Sequence, residues 1–194
     1  MHGESQRCYA SVLFADIHGF LPLSETMDPE ELVCLVNCWF ELTEPIIELH
    51  GGIIDKYIGD SIMAFFLDIG QNRESSKKAV RAAIEIGRSL YRFNVEKKLT
   101  VPIQLHMGIN TGMIVSGMVG GVHKREHTVM GDTVNIASRL EDMSKEGQIL
   151  VGYNTYIETK DDFDYEQSTS LFLKDIEGIP VFELLPVWNK FKRK

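Results

Sequence analysis

Cysteine is scarce in this chain of 194 residues: Cys8, Cys34 and Cys38 are the whole supply, odd in number and without a CxxC pair. That excludes a disulfide framework and a thiolate zinc site. A basic excess is also missing, since 20 lysines and arginines stand against 28 aspartates and glutamates, leaving a net charge of −8. Such a chain has no field to hold a nucleic-acid backbone. No apolar run approaches the roughly 20 residues of a bilayer span, and the opening MHGESQR is too polar for a secretory signal. Repeats and low-complexity tracts are absent as well. What remains, 44% apolar and 25% charged residues, is ordinary for a globular protein. The expectation is one domain over 1–194, with a core of about 8–185 and a tail or linker at 186–194, cytoplasmic and without membrane contact of its own.

Local pattern gives the outline. Cys8–Ala15 (CYASVLFA) is nearly unbroken apolar and β-branched sequence, as in a central strand covered on both faces. Asp28-Pro29-Glu30-Glu31 is a helix start, followed by Leu32, Leu35, Val36, Trp39, Leu42 and Ile46 at helical spacing and closed by Gly51-Gly52. Cys34 and Cys38 lie i,i+4 on that helix and read as packing residues. Ile53–Phe66 holds two apolar runs around Gly59-Asp60, a hairpin signal. A second helix is expected over Glu74–Lys97 and a strand over Pro102–Asn110. The order β-α-β-β-α-β is that of an α+β, ferredoxin-like sheet. Further expected elements are a strand near Met113–Met118, a polar loop Gly120–Glu126, a helix from an Asp132 N-cap to about Met143, a strand Ile149–Val151 and a hairpin over about Phe163–Leu185.

In such a sheet the third strand runs antiparallel beside the first, so Asp16, at the end of one, meets Asp60, in the turn before the other. Paired carboxylates repel unless a cation lies between them, and oxygen donors suit Mg²⁺ or Mn²⁺. Each has a plain alternative, an Asx-turn or a simple hairpin turn. Ile17-His18-Gly19-Phe20 forms a turn whose backbone N–H groups could cradle phosphate. Lys56 falls on one strand face with Ile54 and Ile58 by the period of two, either reaching out to water or meeting a specific acceptor. On the later helix Val134, Ala137 and Leu140 form a core stripe, with Asn135 and Arg139 opposite it. That pair is either a solvated surface pair or an amide and a guanidinium aimed at an anionic group. The six histidines show no metal-ligand spacing and read as surface residues or supports.

Five stretches together resemble the catalytic domain of the class III nucleotidyl cyclases: FADIHGF (14–20), HGGIIDKYIGDSIMAFF (50–66), GINTG (108–112), HTVMGDTVNIASRLE (127–141) and, more weakly, LKDIEGIPVFEL (173–184). The resemblance implies a cyclase or palm-type fold, and active sites shared between two head-to-tail protomers. By position, Asp16 and Asp60 match the family's metal-binding aspartates, for two Mg²⁺ or Mn²⁺ ions per site. Lys56 and Thr128 match the base-reading pair, and Asn135 and Arg139 the catalytic pair that orients the ribose and stabilises the transition state. Lys174 matches the lysine on the triphosphate, and Ile17, His18, Gly19 and Phe20 would line it. The implied activity is conversion of ATP to cyclic AMP and pyrophosphate by a homodimer. Because the chain opens almost at its first strand, the expectation is a domain of a longer, regulated protein that could be membrane-attached upstream.

Lysine can donate to the bare N1 of adenine, whereas guanine-selective members resemble a Glu/Cys pattern that this chain lacks. Thr128 stands where many members carry Asp; its hydroxyl can accept from adenine or donate to guanine, so discrimination could be looser. Members with this threonine form a subgroup, and some respond to bicarbonate. Leu21 departs from the usual Thr or Ser. Two other readings are a guanylyl cyclase and an inactive cyclase-like module that binds nucleotide or only dimerises. A diguanylate cyclase would need a Gly-Gly-acidic-acidic-Phe hairpin in place of Ile58-Gly59-Asp60-Ser61-Ile62.

Overall fold

The computed structural model describes residues 5–69, 73–97, 102–173 and 176–185. Lys174 and the 186–194 tail lie outside them. The chain runs β1 (Gln6–Ile17), α1 (Phe20–Thr26), α2 (Pro29–Leu49), β2 (Ile53–Ile58), β3 (Ser61–Leu67), α3 (Ser75–Lys97) and β4 (Leu105–Gly120). It continues through β5 (Arg125–Met130), α4 (Asp132–Met143), β6 (Ile149–Gly152), α5 (Tyr153–Thr159), β7 (Tyr165–Leu173) and β8 (Ile176–Leu184). One sheet of eight strands orders them β2-β3-β1-β4-β6-β8-β7, with β5 paired to β4. Its first four strands are antiparallel throughout, which is the expected ferredoxin-like core.

β1 sits between β3 and β4, and its alternation divides the interior in two. Leu13, Ala15 and Ile17 join Trp39, Ile47, Phe66, Ala83 and Ile86 beneath α2 and α3. Ala10, Val12 and Phe14 join Met63, Phe65, Val129 and Ala137 beneath β5 and α4. Each fully buried Leu, Ile or Phe here contributes roughly 1.5–3 kcal/mol. The α2 start is as expected: Asp28 accepts from the Glu30 N–H and Pro29 opens the first turn.

Several expectations are corrected. The strands expected over 102–110 and 113–118 are one sixteen-residue strand, β4. Asp132 is not the N-cap of α4; Gly131 is, and Asp132 sits in the first turn without a side-chain cap bond. Cys34 and Cys38 are exposed. The α2 stripe set by Leu35, Trp39 and Ile46 leaves positions 34 and 38 off its flank at 100° per residue. Along β2 the register shifts between Ile54, opposite Ala64, and Lys56, opposite Met63. Asp55 is the extra residue of this β-bulge, so Lys56 shares a face with Ile58 but not with Ile54.

Candidate active site

Four elements converge on the end of β1. Asp16 pairs in register with His106 of β4, and Ala15 with Ile62 of β3, which brings the β2–β3 turn alongside. Gly59 takes that turn at φ 64°, and the Trp39 indole N–H of α2 donates to the Asp60 carbonyl at 2.9 Å, tying the turn to the core. Asp16 Oδ1 accepts the Ile17 N–H at 2.8 Å, and the Asp60 carboxyl lies close enough to Asp16 to be perturbed by it. The fourth element is α4. It lies so close to β4 at Gly108 that an added Cβ would stand 2.3 Å from the Ala137 carbonyl and the Glu141 nitrogen. This contact delivers Glu141, whose Oε1 lies 3.2 Å from His106 Nε2.

The result is an acidic cluster largely withdrawn from water. Asp60 is 8% exposed and Glu141 6% exposed. Burial, then the hydrogen bond and charge of Asp16, push the Asp60 carboxyl up to about 7. Burial, then the charges of Asp16, Asp142 and Asp60, push Glu141 up to about 8. Burial holds the His106 imidazole below its usual range, so it does not supply the missing positive charge. Asp60 Oδ2 is buried without a hydrogen-bond partner. Ligand atoms of Asp16, His106 and Glu141 lie within 4.8 Å of one another. Carboxylates crowded until they take up protons, one with an oxygen left over, fit a hard divalent cation. Mg²⁺ or Mn²⁺ suits the oxygens, with His106 as a nitrogen donor beside them.

The expected phosphate turn is smaller than its sequence indicated. The Ile17 N–H goes to Asp16, and the His18 N–H donates to the Gln104 carbonyl at 2.8 Å. Gly19 (φ 75°) and Phe20 open α1, a helix the sequence reading did not include. The His18 ring stands edge-on to His106 at 5.5 Å.

A second cluster lies where β2 meets β5. The Thr128 hydroxyl donates to Asp55 Oδ2 at 2.7 Å, the Val129 N–H donates to Asp55 Oδ1 at 3.2 Å, and Lys56 Nζ is 3.4 Å from Asp55 Oδ2. Lys56 and Thr128 are thus brought together by a residue the sequence reading passed over. Asn135 and Arg139 are both exposed, while Ala137, Leu140 and Glu141 are buried. Arg139 is two residues from Glu141, about 200° around the helix, so it points away from its own chain's acidic cluster.

The sequence profile of the Adenylate and Guanylate cyclase catalytic domain matches residues 4–184. The chain belongs to the class III nucleotidyl cyclases. Among cyclase relatives, it is 39% identical over 142 residues to the adenylate cyclase of Anabaena cylindrica, covering 70% of this chain and 27% of that protein. It is 35% identical over 138 residues to adenylate cyclase 1 of Rhizobium meliloti, covering 70% of this chain and 21% of that protein. The chain therefore spans about a quarter of the length of these relatives. The crystal structure of the adenylyl cyclase CyaB from P. aeruginosa superposes with a TM-score of 0.88 at 32% identity, covering 94% of this chain and 96% of that one. That of the guanylyl cyclase Cya2 gives 0.85 at 27% identity, covering 96% and 95%. Cyclases of both names thus share this fold.

Three residues of the two clusters escaped the sequence reading. Glu141 had a signal: it follows Val134, Ala137 and Leu140 on the apolar stripe of α4, where a carboxylate must be buried. His106 and Asp55 had none, since one depends on strand register and the other on the bulge.

Proposed function

We propose that this domain is an adenylyl cyclase, converting ATP to 3′,5′-cyclic AMP and pyrophosphate in the cytoplasm. The observation that carries the reading is the Asp16–Asp60 pair: two neighbouring carboxylates, one with a buried oxygen left without a partner. Asp16 and Asp60 would hold two Mg²⁺ or Mn²⁺ ions. Bound there, such ions would favour loss of the ribose 3′-hydroxyl proton and would balance charge on the departing pyrophosphate. The 3′-oxygen forms a bond to the α-phosphorus, the bond from that phosphorus to the β-phosphate bridging oxygen breaks, and the hydroxyl proton leaves to solvent.

The chain's other residues bind and orient. Lys56 donates to N1 of adenine and Thr128 accepts from its amino group. Asn135 orients the ribose and Arg139 offsets charge building on the α-phosphoryl oxygens, a role whose removal costs about 10²–10³-fold in rate. Gly19 and Phe20, beside Ile17 and His18, lie against the triphosphate, with Lys174 on its far end. The outward direction of Asn135 and Arg139 supports their serving the acidic cluster of a second copy, in a head-to-tail homodimer with two equivalent sites. Among the described residues no helix is long and apolar enough to cross a membrane. The greater length of the relatives supports fusion to a regulatory domain.

The test is formation of cyclic nucleotide from ATP and from GTP with Mn²⁺ over a range of protein concentrations. Cyclic AMP is expected to predominate, with specific activity rising as the dimer fills. No pyrophosphate from either nucleotide, at concentrations where the dimer is demonstrated, overturns the reading.

A further inference from the structure

Resting on that reading, we infer that Asp55 is a specificity-positioning residue, fixing the Thr128 hydroxyl as an acceptor and so biasing the base pocket towards adenine. A free threonine hydroxyl is ambivalent, able to accept from adenine's amino group or donate to guanine's carbonyl. Here it is not free. Its proton points to Asp55 Oδ2 at 2.7 Å, while the competing Val129 carbonyl is 3.5 Å away. An ionised carboxylate only accepts, so the hydroxyl must donate to it and presents lone pairs elsewhere.

Three features hold the carboxylate to this task. The Asp55 side chain is 1% exposed, so water does not compete for it. The Val129 N–H pins Oδ1 at 3.2 Å, which leaves Oδ2 facing Thr128. Lys56 Nζ lies 3.4 Å from that same Oδ2, so the ammonium is held beside the hydroxyl. The bulge supplies the geometry, turning two successive side chains, Asp55 and Lys56, to the β5 side of the sheet. A donor beside an acceptor matches the N1 and amino group of adenine and opposes the N1–H and carbonyl of guanine. Asp55 touches neither base; it acts through the two side chains that do.

Asp55→Asn tests this with nearly unchanged shape. The Val129 N–H must still meet the amide oxygen, so the amide NH₂ replaces Oδ2 and donates to Thr128. The hydroxyl proton is then free to turn towards guanine. The measurement is kcat/KM for ATP and GTP with Mn²⁺ in wild type, Asp55→Asn, Thr128→Val and the double variant. The ATP:GTP ratio should fall by about tenfold in Asp55→Asn, the worth of one hydrogen bond reversed, and Asp55→Asn should change it far less when Thr128 is already Val. Equal loss on both nucleotides, or an unchanged ratio, overturns the inference. Should the variant not fold, wild type decides alone. Purine riboside triphosphate, which keeps N1 but lacks the amino group, should be about tenfold poorer than ATP, and parity overturns the acceptor assignment. A wild type inactive on every nucleotide would instead defeat the cyclase reading itself.

Discussion

Asp60 carries two duties that can be separated by experiment. Its backbone carbonyl receives the Trp39 indole and steadies the hairpin, while its carboxylate meets Asp16. Replacing the carboxylate leaves the first duty intact. Asp60→Ala and Asp16→Ala should therefore reduce cyclic AMP formation to background with Mn²⁺, while the thermal unfolding midpoint of the metal-free protein holds or rises, because like charges are relieved. Full turnover in either variant would remove the metal assignment. The tyrosines give a pH prediction at the same scale. Burial is the main cause that lifts both Tyr9 and Tyr165 from 10.0 to about 12. Between those values the unfolded chain has lost protons the folded chain retains, so stability is complete below 10 and declines as pH rises towards 12. Urea midpoints at about pH 9 and about pH 11 should differ, and Tyr165→Phe should narrow the gap.

Among the elements, α4 packs backbone to backbone against β4. Gly108 permits its backbone to rest on β4 with no side chain between, so Gly108→Ala should cost about 1–3 kcal/mol or more by urea denaturation. Activity should fall with it as Glu141 is displaced. Elements of this kind also mark what the sequence made legible. β1, α2, the β2–β3 hairpin and α3 carry local signals that agree with their environment, among them the Asp28-Pro29 start and the alanine face of α3. Asp16 and Asp60 were within reach because topology alone brings them together. α5 was not, since its buried residues are Thr155 and Thr159, held by hydroxyl contacts such as Thr155 to Thr111 at 2.8 Å, and no apolar stripe announces it. α1 buries no residue completely, and β5 is recognisable only by its pairing with β4. The bulge at Asp55 is a tertiary choice that no period of two foretells, and it decides where Lys56 points.

For the whole molecule, the shared-site reading makes a demand a single chain cannot meet. Asp16→Ala and Arg139→Ala proteins, each inactive alone, should regain activity when mixed, because one of the two sites in a mixed dimer keeps both its acidic cluster and its arginine. Random pairing gives half mixed dimers with one intact site of two, so about a quarter of wild-type activity is the ceiling. Silence from demonstrated mixed dimers would sink the arrangement. The direction in which α4 turns its arginine then has a consequence for control. If each site draws on two copies, a lone subunit is chemically mute and output at low abundance scales with the square of concentration. Anything that herds two copies together, a tether or a partner's scaffold, acts as a switch without bending a single strand.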